Sequence, residues 1–303
     1  MVPALKHLCR YAIIATSLIA ATGCEGTHAP PPVVSRAPPD PAAVRRGEYL
    51  AVAANCAACH TGDTPGAAPF AGGRNIPTPF GNYYSGNITP DTATGIGAWS
   101  DDDFLRALRY GVSPSGEDYF PAFPFTSFTL MTDPDILDVR AYLSTVPAVS
   151  RANRPHEAAF PFGSRALLGL WRSRYFRPGP LAPDPAGSPE WNRGRYLVEA
   201  VAHCGECHTP RDWLGGRDES RRFAGYRIGG PDGFAAPNIS GDPVHGIGSW
   251  SQDDIADFLQ TGIKPDGDTV GSRMADVIKG TSHLGAKDRM AVAEYLKSLP
   301  PTH

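Results

Sequence analysis

The sequence predicts a mostly α-helical chain made of two tandem copies of one unit, each wrapped in long irregular loops. Three observations lead there. Short motifs recur in the same order in both halves, and helical periodicity marks the edges of each copy. The stretches between are dense in glycine and proline, which with 33 and 31 residues make up more than a fifth of the 303-residue chain. Apolar residues at 41% and charged residues at 19% make an ordinary globular mixture. A formal charge of −3 argues against nucleic acid as a partner, because phosphate binding needs a basic surface.

Residues 1–23 read as an export signal. Lys6 and Arg10 precede a mostly apolar stretch from Tyr11 to Gly23 that is too short to span a bilayer. Ala21-Thr22-Gly23-Cys24 resembles a bacterial lipoprotein cleavage site, although Ala21 stands where leucine is usual. Lipidation at Cys24 would anchor the mature chain to a membrane face. The alternative is ordinary cleavage, leaving Cys24 unmodified and the protein soluble. Loss of Lys6 and Arg10 takes the charge from −3 to −5. Residues 24–43, with Pro30, Pro31, Pro32, Pro38, Pro39 and Pro41, predict an extended tether.

The repeat then begins. Arg46-Gly47-Glu48-Tyr49-Leu50 returns as Arg193-Gly194-Arg195-Tyr196-Leu197, Asn87-Ile88 as Asn238-Ile239, and Gly95-Ile96-Gly97-Ala98-Trp99-Ser100 as Gly246-Ile247-Gly248-Ser249-Trp250-Ser251. Such order at similar spacing predicts homologous domains at 44–150 and 190–303, each about 110 residues long. After each tryptophan a helix is expected. Phe104, Leu105 and Leu108 mark the first, with Ser100 as N-cap and Asp103 closing a capping box; Ile255, Phe258 and Leu259 mark the second. Ile136, Val139 and Leu143, and then Met290, Val292 and Leu296, mark the closing helices. The Gly/Pro-rich middle of each unit is long and irregular, which suggests that a bound group organises it.

Cys56-Ala57-Ala58-Cys59-His60 and Cys204-Gly205-Glu206-Cys207-His208 are both C-x-x-C-H, the attachment pattern of c-type haem. Two thiols three positions apart lie near one helical face and can each bond a vinyl group of one porphyrin. The adjacent histidine reaches the iron from the same side. A disulfide pair would not call for histidine after both motifs, and a thioredoxin-type pair would sit in a βαβ pattern. A zinc site needs a further ligand and gives no reason for duplication. Cys56, Cys59, Cys204 and Cys207 are therefore expected to carry two haem c groups, with His60 and His208 as proximal ligands.

On these residues the two units resemble class I cytochrome c domains. Their arrangement is similar to the first two haem domains of the membrane-anchored cytochrome subunits of bacterial periplasmic alcohol, gluconate and nicotinate dehydrogenases. Thr78-Pro79-Phe80-Gly81, Asn87-Ile88-Thr89-Pro90-Asp91, Pro121-Ala122-Phe123-Pro124-Phe125, Glu190-Trp191-Asn192-Arg193-Gly194 and Tyr295-Leu296-Lys297-Ser298-Leu299-Pro300 carry the likeness, which covers nearly all of 44–303. Many such subunits have a third haem unit, whereas this sequence shows two. The resemblance implies methionine as the sixth iron ligand. Met274, 66 residues after His208 in an expected loop, is the candidate for the second haem, with Met290 assigned to helix packing. For the first haem, counting from the flanking landmarks sets Phe123 or Pro121 opposite Met274, and neither ligates iron. Met131, 71 residues after His60, is the candidate, because related sequences place a methionine just before the Thr132-Asp133 step. The alternative makes Met131 a core residue matched to Leu284, with the first iron open or histidine-bound.

Weaker expectations complete the reading. Trp99 and Trp250 are either propionate donors or plain core residues. Pro79 and Pro237 lie in loops able to give the proximal histidines a carbonyl, and His203 reads as a surface residue. The linker 151–189 holds Leu167, Leu168, Leu170 and Trp171 among Arg165, Arg172, Arg174 and Arg177; it predicts a connecting helix or a docking surface. The function expected is a dihaem electron carrier on the periplasmic side of a bacterial membrane. It would take electrons from a dehydrogenase and pass them to a quinone, a soluble carrier or a terminal oxidase. The rival is a dihaem peroxidase-like oxidoreductase with an open first haem.

Overall fold

Helix α1, Pro41–Ala53, opens on a cap. Asp40 accepts hydrogen bonds from the backbone N–H groups of Ala42 and Ala43, and Pro41 fills the first helical position, where its missing N–H costs nothing. Pro41 to Ala43 are thus helix, not the end of an extended tether. The computed structural model describes residues 38–227 and 235–302. The export signal, Cys24 and the tether up to residue 37 lie outside the described residues.

After α1 comes a single turn, α2, Cys56–His60. A hairpin follows, β1 Asn75–Thr78 and β2 Gly81–Tyr84, joined later by β3 Glu157–Ala158 on the outer edge of β2. The middle of this half is therefore not wholly irregular. Thr78 caps the hairpin tip by accepting from Phe80 N, and Gly81 adopts φ +122°, a turn geometry open to glycine. Helix α3, Asp101–Tyr110, starts on the expected capping box of Ser100 and Asp103 and ends at Gly111 in the left-handed region. A short α4, Phe125–Phe128, and α5, Asp133–Leu143, complete the first half. Helix α6, Arg165–Tyr175, spans the linker.

The second half repeats this order. Helix α7, Pro189–Tyr196, runs on through a π turn at Leu197–Val201, and α8, Gly205–His208, carries the second motif. A short pair follows, β4 Tyr226–Arg227 and β5 Ala235–Ala236. Then come α9, Gln252–Thr261, with the matching capping box of Ser251 and Asp254, α10, Ser272–Thr281, and α11, Ala286–Lys297.

The Arg-Gly-x-Tyr-Leu repeat explains how each half closes. A Cβ on Gly47 would sit 1.8 Å from the Asp138 carbonyl oxygen, and one on Gly194 1.8 Å from that of Ala291. Only glycine lets α1 cross α5, and α7 cross α11, this tightly. The arginines then bind the partner helix: Arg46 grips the Asp138 carboxylate at 2.6 and 2.9 Å, and Arg193 grips Asp288 at 3.0 and 2.7 Å. Leu50 and Leu197 enter a core continuous with Ile136, Val139, Leu143, Val292 and Leu296.

The tyrosines reach across to the opposite half. Tyr49 Oη donates to Asp288 at 2.6 Å and accepts from Gly285 N at 3.1 Å, at the start of α11. Tyr196 Oη donates to Asp135 at 2.5 Å and accepts from Thr132 N at 3.1 Å, at the start of α5. The two halves thus interlock reciprocally, and the described residues make one compact body. Helix α6 ties both together. Arg172 pairs with Asp118 at 3.1 Å, while Trp171 Nε1 donates to Leu214 O at 3.0 Å and Tyr175 Oη to Asp212 at 2.6 Å. Leu170 and Trp213 remain exposed. Among the described residues no helix is long and apolar enough to cross a membrane.

Candidate haem attachment sites

Each C-x-x-C-H motif forms one helical turn entered through a left-handed residue, Asn55 at φ 57° and His203 at φ 42°. That entry starts the turn abruptly, so thiols at i and i+3 and the imidazole at i+4 share one side. The four cysteines are free thiols, which leaves no disulfide pair. Burial pushes the Cys56 and Cys204 thiols up to about 12. Among the described residues no three His, Cys, Asp or Glu side chains converge as a metal site.

The histidines are set identically. His60 Nδ1–H donates to Gly86 O and His208 Nδ1–H to Pro237 O, each at 2.7 Å. Burial holds both imidazoles below their ordinary pKa, against the opposing pull of those carbonyls. A neutral ring with Nδ1 committed presents a bare Nε2, the donor an iron takes. Pro237 supplies the carbonyl as expected, but Pro79 does not: it lies at the β1–β2 tip, and its counterpart is Gly86. Gly86 and Pro237 each immediately precede the Asn-Ile repeat.

That repeat holds the carbonyl-bearing loop in place. Asn87 Nδ2 donates to Thr94 Oγ1 at 3.1 Å and Val149 O at 2.8 Å, while its Oδ1 accepts from Thr89 N at 2.9 Å. Asn238 Nδ2 donates to Thr302 O at 2.7 Å, and Oδ1 accepts from Ser240 N at 2.8 Å. The backbone beyond each turn is tied in the same way, Gly72 N to His60 O and Gly225 N to His208 O. Free thiols on one helical face, beside an imidazole with its outer nitrogen available, fit covalent haem attachment.

The methionines differ. Met131 is 1% exposed, in the core that Cys56, Phe123 and Phe128 also line. Its carbonyl accepts from Arg109 Nη2 at 2.6 Å, and Arg109, itself buried, also binds Thr129 O and the Asp133 carboxylate. The position directly before the cap of the closing helix is Met131 in one half and Leu284 in the other. Met274 is half-buried and sits in the first turn of α10 rather than in a loop, because Ser272 to Thr281 run as unbroken helix after Gly271. Phe123, opposite it by one count, packs instead on Phe128 and Tyr119 at 5.7 and 5.6 Å. His203 is no surface residue: burial depresses its pKa, Nε2–H donates to Ala54 O at 3.3 Å, and its ring meets Phe128 edge-on.

The family model for cytochrome c matches residues 44–147. A diheme cytochrome c-type protein of Cereibacter sphaeroides is 44% identical over 259 residues, covering 84% of this chain and 85% of its own. The fructose dehydrogenase cytochrome subunit of Gluconobacter japonicus is 40% identical, covering 85% of this chain and 52% of the subunit. The gluconate 2-dehydrogenase cytochrome c subunit of Pantoea cypripedii is 41% identical, covering 85% and 60%. The chain thus spans between half and three fifths of those two dehydrogenase subunits. With both attachment turns built alike and a relative of this kind matched over 85% of its length, the chain belongs to the dihaem c-type cytochromes, and its cofactors are two haem c groups.

Proposed function

We propose that the protein is an electron carrier between a dehydrogenase and the respiratory chain, built from two class I cytochrome c units at 44–150 and 190–303. Cys56 and Cys59 tether the first haem and Cys204 and Cys207 the second. His60 and His208 would ligate the irons through Nε2, their rings oriented by Gly86 O and Pro237 O. Met131 and Met274 are the thioethers that would complete the two ligand sets, a donor that favours the ferrous state. The haem supplies the one-electron couple; the chain supplies ligands, burial and placement.

The carrying observation is the identical setting of the two proximal histidines, in a chain whose relatives include cytochrome subunits of fructose and gluconate dehydrogenases. The donor is accordingly a dehydrogenase, and the acceptor a quinone, a soluble carrier or a terminal oxidase. The sequence of residues 1–24 supports export to the periplasmic side with a lipid on Cys24; the mass of the mature N-terminal peptide tests that. The central experiment is an absorption spectrum of the purified holoprotein, oxidised and reduced, with a pyridine haemochrome count. Two haems and two equivalents of the far-red sulfur-to-iron band per chain support the carrier. One equivalent with a high-spin component that turns over peroxide would replace it with the enzyme.

A further inference from the structure

The segment leading into each attachment turn packs against the last-but-one helix of the opposite half: α10 lies on α1, and α4 lies on the π turn that leads into the second motif. A Cβ on Gly280 of α10 would come within 2.6 Å of Val52 O, so that approach is close. The polar ties differ between the two junctions. At the first turn, Arg74 donates to Ala58 O and meets Asp276 of α10 at 3.5 Å, a loose contact. At the second turn the tie is dense. Glu206, lying between the two cysteines, accepts through one carboxylate oxygen from Thr126 Oγ1 at 2.6 Å and Ser127 Oγ at 2.8 Å. Arg217 reaches that oxygen at 3.2 Å, and Arg211 holds the other at 2.5 Å.

We infer that Glu206 is a positioning residue for the first haem site, although it stands in the attachment motif of the second. Helix α4 has four residues, and Pro124 at its N-cap gives it no side-chain cap, so it cannot hold itself. Thr126 and Ser127 are half of it, and the side chain of each is anchored by Glu206, with Arg217 also on Ser127. From there an unbroken series of turn hydrogen bonds runs to the ligand segment: Leu130 N to Ser127 O at 2.9 Å, then Met131 N to Phe128 O at 3.0 Å. Arg109 fixes the far end of this segment from within the first half, and Gly179 N and Leu181 N fix its outer side at Thr129 Oγ1 and Leu130 O. From the second half, Glu206 holds α4 by its hydroxyls, beside the His203 ring on Phe128 and Tyr196 Oη at Thr132 N. The ligand strength of Met131 therefore depends on the turn that carries the other haem.

The inference rests on Met131 being the sixth ligand, and the test separates the two. In a full-length holoprotein carrying Met274→His, the far-red sulfur-to-iron band reports the first haem alone. Imidazole, which competes with the thioether, is titrated against that band. Glu206→Ala is expected to tighten imidazole binding at the first haem roughly tenfold, the scale of one charge-assisted hydrogen bond. Should the stranded Arg211 and Arg217 prevent folding, Thr126→Val with Ser127→Ala removes the same tie without touching charge and moves the affinity in the same direction. Glu206→Gln, which can still accept, recovers part of the change. A band that is present but indifferent to all of these variants overturns the inference alone. A Met274→His background with no band overturns the Met131 reading and this inference with it.

Discussion

Between α3 and α5 the first half uses a knot of aromatic rings, whereas between α9 and α11 the second half uses a ten-residue helix. Tyr119, Phe123, Phe125 and Phe128 pack ring on ring around the four-residue α4, and Met131 follows it, sealed in the core. In the second half α10 takes that place, its methionine lies at the start, half-buried, and Leu284 fills the sealed position. Everything proximal is the same in both halves: turn, histidine, carbonyl, asparagine. The two halves keep the motif turn alike and differ in the opposite wall. The wall is where potential and access are set, so two haems on one scaffold need not behave alike.

The largest effects test what is shared. Gly47→Ala and Gly194→Ala each force a methyl onto a carbonyl oxygen 1.8 Å away. Either should cost about 3 kcal/mol or more as the helices part, which thermal melting reads as a fall of roughly 10 °C. Equal falls keep the two crossings equivalent; a fall for one alone breaks the symmetry. The next effect tests what differs. Met131→Ala and Met274→Ala should each remove half the far-red band. Burial makes Met131→Ala the costlier, at about 2–5 kcal/mol, while Met274→Ala at a helix start should cost less than about 1 kcal/mol. Equal melting points for the two variants would contradict the contrast.

The shared part was also the legible part. Both attachment motifs, the Ser100 capping box and the closing helices stand in the sequence because each depends on residues within a few positions of one another. The Arg-Gly-x-Tyr-Leu repeat betrayed the duplication without its purpose, since the glycine's close contact and the tyrosine's partner lie far along the chain. Pro79 and Pro237 both read as loop prolines, but a hairpin carries Pro79 to its tip and leaves the carbonyl to Gly86. Met274 was placed in a loop because glycine, serine and arginine at 271–273 resemble a turn, yet they open α10. Glu206 gave no signal at all: its hydroxyl partners are 79 and 80 residues away in the other half.

The smallest effects probe the reciprocal tyrosines. Tyr49→Phe and Tyr196→Phe each delete a hydroxyl bonded to a carboxylate and to a backbone N–H of the opposite half, worth about 1–2 kcal/mol in denaturant titrations. Their equality is set against a difference in pH response. Burial alone would raise the Asp288 carboxyl, but the hydrogen bonds from Arg193 and Tyr49 outweigh it and hold the pKa below its ordinary 3.8. A depressed carboxylate contributes stability that is fully present above the unfolded value and is lost as pH falls through the folded one. Asp288→Asn should therefore lower stability at neutral pH and flatten the loss below about pH 4. In Tyr49→Phe the same acid limb should become shallower by a smaller amount, since Arg193 still grips the carboxylate at 2.7 and 3.0 Å. An acid limb unchanged in both variants would mean that the charge at the start of α11 does not hold the two halves together, leaving that task to the buried core.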